Sequence, residues 1–146
     1  EAADEGGRGP VEHIVGRGTI KSPLPFSPAV RAGGFLFVSG MASADENGAI
    51  VHDTFENEAR RTYRNLAAAL SAAGATFADV VQVRCYVDSK DDWDAHNRIY
   101  REFFSPPYPA RTTLVGCLGG LVKYEVDAIA YVGRQGTASR DHDQPE

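Results

Sequence analysis

Only two stretches of this chain have the period of an amphipathic helix, and every other apolar run is strand-length; that imbalance limits its possible folds more than any other feature. The first helix is predicted to be capped at Asp53 with Glu56 as capping-box partner, to bury Phe55, Ala59, Tyr63, Leu66, Leu70 and Ala73, and to stop at Gly74. The second is predicted to be capped by Ser89 with Asp92 at the third position. Trp93, His96, Ile99, Tyr100 and Phe103 form its buried stripe, and Pro106-Pro107 ends it. Around them lie strand signals: Val30-Arg31, Phe35 to Gly40, Val80 to Val87, Arg111 to Val115 and Lys123 to Val132. Asn47-Gly48 marks a tight turn, after which Ala49-Ile50-Val51 resumes an extended pattern. In the strand from Val80, residues Val81, Val83, Cys85 and Val87 are expected on one face. The predicted class is α+β, a mixed sheet of about six strands with two helices on one face. The other face keeps apolar residues, and self-association is the simplest cover for them.

At 146 residues, with 42% hydrophobic and 24% charged residues, the chain suffices for one packed domain. It is expected to span 17–133, between a Gly- and acid-rich tail at 1–16 and a polar tail at 134–146 with few apolar residues. The formal net charge of −5 disfavours nucleic acid as a partner. No apolar run approaches the roughly 20 residues of a membrane span, so no membrane partner is expected and a cytoplasmic location is. Cys85 and Cys117 are expected as reduced thiols in apolar stretches, one structural bridge being the alternative. His13, His52, His96 and His142 lack metal-ligand spacing, so no metal is expected, and Gly116 to Gly120 lacks the Lys-Ser/Thr of a phosphate loop.

Two polar residues stand where the strand pattern expects apolar ones. Arg111 opens a strand after Pro109-Ala110, and Glu125 interrupts the apolar run from Val122. If these strands are antiparallel neighbours, guanidinium and carboxylate share a cleft, as a structural ion pair or as a site. Arg60, Arg61, Arg64 and Asn65 on the first helix read either as its solvated face or as an anion site.

The segments Pro25 to Val30, Phe35 to Gly40, Ala73 to Val81, Asn97 to Phe104, Pro109-Ala110-Arg111 and Tyr124-Glu125-Val126 follow the order and approximate spacing of the Rid (YjgF-type) imine deaminase family. From about Thr19 to Val132 the chain resembles that family. The resemblance implies a chorismate-mutase-like subunit, a homotrimer with sites between subunits, and no cofactor. It also implies hydrolysis of enamine and imine intermediates, converting a carboxylate-bearing 2-imino acid to a 2-keto acid and ammonia.

Carried onto this chain, the resemblance makes Arg111 the fork for the substrate carboxylate and Glu125 the group that activates water and passes a proton to the departing nitrogen. It places Phe26, Ser39, Gly40, Asn97 and Thr113 around the substrate. Gly40 read alone is equally a glycine required by a bend, and Asn97 equally an amide holding a loop carbonyl. The sequence departs from the family where Phe26 replaces the usual Tyr and Thr113 the usual Cys. The loop between Arg111 and Glu125 is one residue shorter and carries Gly119-Gly120 in place of a Pro-Lys-type pair. These departures point to a larger or more apolar unsaturated imine. The competing readings are a non-catalytic trimer that binds small carboxylates and, less compatible with the net charge, RNA cleavage.

Overall fold

The computed structural model describes residues 10–133. The expected tail at 134–146 and the first nine residues lie outside the described residues. The chain runs β1 (Val11–Ile14), β2 (Ala29–Ala32), β3 (Phe35–Ala42), α1 (Phe55–Ala72), β4 (Val80–Val87), α2 (Trp93–Phe103), β5 (Ala110–Val115) and β6 (Tyr124–Tyr131). The six strands form one sheet in the order β1-β2-β3-β6-β4-β5, with only β4 and β5 parallel. This is the expected α+β class. No described helix is long and apolar enough to cross a membrane.

The N-terminal boundary is corrected. Val11–Ile14, expected within a tail, pairs antiparallel with β2, and Ile14 is fully buried. Four residues with one buried side chain give too short a pattern to read as a strand; pairing with β2 supplies what local propensity lacks.

The strand order is corrected as well. Arg111 and Glu125 do not lie on neighbouring strands, because β4 stands between β5 and β6. A strand-helix-strand crossover joins β4 to β5, which makes those two parallel partners; β6 then returns to the centre of the sheet between β3 and β4.

Both helices pack on the same face of the sheet. Tyr124, Val126, Ala128 and Ala130 of β6 alternate inward to meet Tyr63, Leu66 and Leu70 of α1 and Ile99 and Tyr100 of α2. The outward alternates Glu125, Asp127, Ile129 and Tyr131 lie on the uncovered face. Tyr131 is 52% exposed there, and Phe35 and Phe37 are 41% and 45% exposed. In β4 a register shift between Val80 and Gln82 turns Val80 into the core and Val81 outward, reversing the side expected for Val81.

Local details also differ from expectation. Thr54, not Asp53, caps α1, accepting from the Asn57 N–H at 3.2 Å, while Asp53 accepts from the Thr54 N–H at 2.7 Å. Glu58 rather than Glu56 turns back, accepting from the Asp53 N–H at 3.0 Å. Ser89 caps a 3-10 turn, Lys90–Asp92, that leads into α2. Ala49 to Val51 forms a single bridge, Ala44 to Ile50, rather than a strand. Arg60 pairs with Glu102 through two hydrogen bonds of 2.9 and 2.7 Å, and Arg61 reaches Ser43 and Asp53. Asn65 donates to the Ala42 and Ala44 carbonyls, so three of these four polar residues have protein partners. Cys85 and Cys117 are both free, but Cys117 is exposed rather than packed as expected.

Glu58 fastens the entry to β6. Its fully buried carboxylate accepts from the Asp53 N–H and the Lys123 N–H, both at 3.0 Å, and meets Lys123 Nζ at 3.3 Å. Glu58→Ala strands two backbone donors in a dry interior, with an expected loss of about 2–4 kcal/mol. Glu58→Gln, which keeps one acceptor oxygen, should lose less; urea unfolding midpoints of the two variants check the order.

Candidate functional site

Arg111 enters β5 beside Val83 of β4, on the face covered by helices. It donates from Nη2 to Asn97 Oδ1 at 2.8 Å, and its guanidinium carbon sits 4.7 Å from the centre of the Tyr100 ring. Asn97 and Tyr100 are one helical turn apart on α2, so that helix supplies both an amide acceptor and an aromatic face. Among the described residues no carboxylate pairs with Arg111. The guanidinium is therefore a positioned cation, bordering a cavity of about 240 Å³ lined by Asn97, Tyr100, Arg101, Tyr108, Pro109 and Arg111.

Thr113 follows on the same side of β5, with its hydroxyl oxygen 3.4 Å from His96 Nε2. The buried His96 ring meets the Tyr124 hydroxyl through Nδ1 at 3.0 Å. Burial first, then the Arg111 charge, pushes His96 down to about 4, so the ring is neutral at pH 7.

Glu125 lies on the opposite face. Antiparallel pairing sets it beside Tyr86 of β4 and Ala42 of β3. Burial, and then the charge of Asp127, raise the pKa of its carboxyl from the ordinary glutamate value. Asp127 itself is engaged by Arg84 Nε at 2.9 Å and by the Tyr86 hydroxyl at 2.8 Å.

Gly40 lies directly against Glu125: a side-chain carbon there would overlap Glu125 Oε1. Close approach by the carboxylate thus explains the glycine, within the β3 register shift between Val38 and Met41. Phe26, 48% exposed, borders an apolar cavity of about 120 Å³ that reaches Gly40 and Ala42, with Ile20, Leu24, Met41 and Ile50 among its walls. Ser39 stands behind, donating its hydroxyl to the Ser27 carbonyl at 2.6 Å.

The expected site residues therefore fall into two groups. Arg111, Asn97 and Thr113 gather between α2 and β5; Phe26, Gly40 and Glu125 gather at the end of β3, with Ser39 beside them. One chain holds the two groups on opposite faces of its sheet. Sequence reasoning missed Tyr100, Tyr108 and the polar role of His96. Tyr100 stands three residues after Asn97, a spacing that shares a helix face, and His96 was a ring nitrogen donor set in an otherwise apolar stripe.

The sequence model of the family described as "Endoribonuclease L-PSP" matches residues 18–132. A RutC family protein of Pyrococcus abyssi is 37% identical over 118 residues, covering 77% of this chain and 93% of that protein. The 2-iminobutanoate/2-iminopropanoate deaminase of Dermatophagoides farinae is 31% identical over 124 residues, covering 83% of this chain and 97% of that protein. The crystal structure of RidA from an Antarctic Psychrobacter superposes with a TM-score of 0.76 at 25% identity, covering 83% of this chain and 99% of that one.

The overlap at Gly40 involves the mobile end of a side chain, so Gly40→Ala is expected to leave the unfolding midpoint nearly unchanged. The displaced Glu125 carboxyl should gain water and titrate at a lower pH than in the parent, as read from its ¹³C carboxyl shift.

Proposed function

The chain belongs to the Rid family of YjgF- and RutC-type proteins, and from that premise we propose that it is a hydrolytic imine and enamine deaminase. The reaction takes a 2-imino acid and water to a 2-keto acid and ammonia, without a cofactor. The observation that carries this reading is an unpaired, preoriented guanidinium at Arg111 together with a Glu125 carboxyl raised by burial.

Arg111 takes the substrate carboxylate in a bidentate contact, a charge-assisted interaction of about 1.5–3 kcal/mol, and so fixes the adjacent C=N carbon. Asn97 and the Tyr100 ring hold the guanidinium during binding. Glu125 accepts a proton from water as its oxygen bonds to that carbon and the C=N π pair moves to nitrogen. The same carboxyl gives that proton to nitrogen, forming the carbinolamine; it then takes the proton of the new hydroxyl and passes it to nitrogen, so that the C–N bond breaks and ammonia leaves as the C=O forms. A carboxyl whose pKa is raised from its ordinary value suits both halves of this exchange. Gly40 leaves the carboxylate uncovered by any side chain of its own, and the cavity beside Phe26 accepts an apolar imine side chain.

Both groups must reach one substrate, yet one chain carries them on opposite sheet faces. We infer that a second copy completes each site, in a homotrimer whose subunits cover the exposed Phe35, Phe37 and Tyr131 surface. The RNA cleavage suggested by the family's description finds no support at this site. His96 is buried and both its ring nitrogens are engaged.

With 2-imino acids generated in place by an amino-acid oxidase, Arg111→Ala and Glu125→Gln should each lower turnover by about 10²-fold or more without loss of folding. Full turnover by either variant overturns that residue's role. Co-expression of the two inactive variants should restore activity at about a quarter of the sites, since random assembly reunites an intact Arg111 with an intact Glu125 in that share. No recovery would overturn the intersubunit arrangement.

The pH dependence has a definite sign. The ionised Glu125 is the base, so activity falls as pH drops through its raised pKa. Asp127→Asn removes the second cause of that rise, and the acid limb of the kcat/KM profile should move to lower pH.

A further inference from the structure

Four polar side chains run through the core to β5 and end at Thr113, two residues beyond Arg111. The Tyr63 hydroxyl meets the Tyr124 hydroxyl, Tyr124 meets His96 Nδ1 at 3.0 Å, and His96 Nε2 lies 3.4 Å from Thr113 Oγ1. Tyr63 and Tyr124 are fully buried, and only 1% of His96 is exposed. Such a satisfied chain holds each of its members in one geometry, including the group at its open end. That end is Thr113, partly exposed and on the same strand face as Arg111.

The direction of the hydrogen bonds follows from the groups. A neutral imidazole has one N–H and one lone pair, so the two ring nitrogens must play opposite parts. A phenol is a better donor than acceptor toward imidazole nitrogen, which assigns the Tyr124 O–H as donor to Nδ1. The proton on the ring is then at Nε2 and is donated to Thr113 Oγ1. With its oxygen already accepting, Thr113 has its own O–H to aim into the groove, beside the guanidinium, where an anionic ligand needs donors. The reverse direction would spend the Thr113 proton on His96 and face an incoming carboxylate with lone pairs.

We propose that His96 is a positioning residue of the carboxylate site: through its Nε2–H it orients the Thr113 hydroxyl, which donates to the ligand carboxylate alongside Arg111. This deepens the proposed function, on which it rests: Thr113, placed around the substrate by the family resemblance, gains a defined donor direction, and the Tyr63–Tyr124–His96 chain is what aims it.

The probe is 2-oxobutanoate, a 2-keto acid that binds without needing turnover, titrated calorimetrically. Thr113→Val and His96→Met should each weaken binding about fivefold, and the double variant no more than either alone, because the two act through one hydrogen bond. Thr113→Ser, which retains the hydroxyl, should bind like the parent. In the parent complex, ¹⁵N shifts of His96 should show the proton on Nε2; this measurement stands even where His96→Met fails to fold. Losses that multiply in the double variant, an unchanged affinity in Thr113→Val, or a proton on Nδ1 in the complex would each overturn the proposal. If the parent does not bind the probe at all, the carboxylate site at Arg111 fails, and this inference with it. If the parent binds and Arg111→Ala does not, while the Thr113 and His96 variants match the parent, only the inference fails.

Discussion

The pairing of β6 between β3 and β4 sets nearly everything else in this molecule. β6 is the last strand made, yet it lies at the centre of the sheet, hydrogen-bonded on both sides. Its alternation gives Tyr124, Val126, Ala128 and Ala130 to the helices and Glu125 and Asp127 to the other face. A one-residue slip would exchange the sets, burying two carboxylates under α1 and exposing the tyrosine that anchors the polar chain. The fold guards against that slip at the strand's entrance. Glu58 accepts the Lys123 N–H one residue before β6 begins, so α1 measures where the strand starts and Glu125 falls two residues beyond that tie.

The periodic elements were legible because their signals are local. Phe55 through Ala73 and Trp93 through Phe103 repeat at helical spacing, and Gly74, at a φ of 79°, stops α1 where a glycine can take the left-handed conformation. The family segments likewise identified Arg111 and Glu125 as residues worth attention. Strand order was not legible, since Arg111 to Val115 and Tyr124 to Tyr131 read the same beside each other or with β4 between them. Their separation by β4 is a consequence of how α2 crosses over the sheet, which no residue within either strand records.

Smaller misreadings share that origin. Val81 fits an inward alternation until a register shift against β6 turns it outward. Asp53 and Thr54 are both sound capping residues, and the contact that decides between them comes from Glu58, itself held by Lys123 at the far end of the chain. Arg60 finds Glu102 across the helix pair, so its face is neither merely solvated nor an anion site. Within the site, the Gly40 question had two local answers. The structure adds a third, the nearness of the Glu125 carboxylate, a long-range contact that neither local answer contains.

On the proposed reading, in which a second copy completes each site, the separation of Arg111 and Glu125 onto opposite faces also changes what kind of quantity the catalytic rate is. A chain carrying half of two different sites would then have no activity as an isolated molecule, whatever the quality of its fold. Rate would rise more steeply than in proportion to chain concentration until assembly saturates, and dilution would silence the protein without altering one residue. Substitutions at the exposed Phe35, Phe37 and Tyr131 would become kinetic variants through mass action alone. The sheet face left bare by two helices would in this sense be part of the rate law.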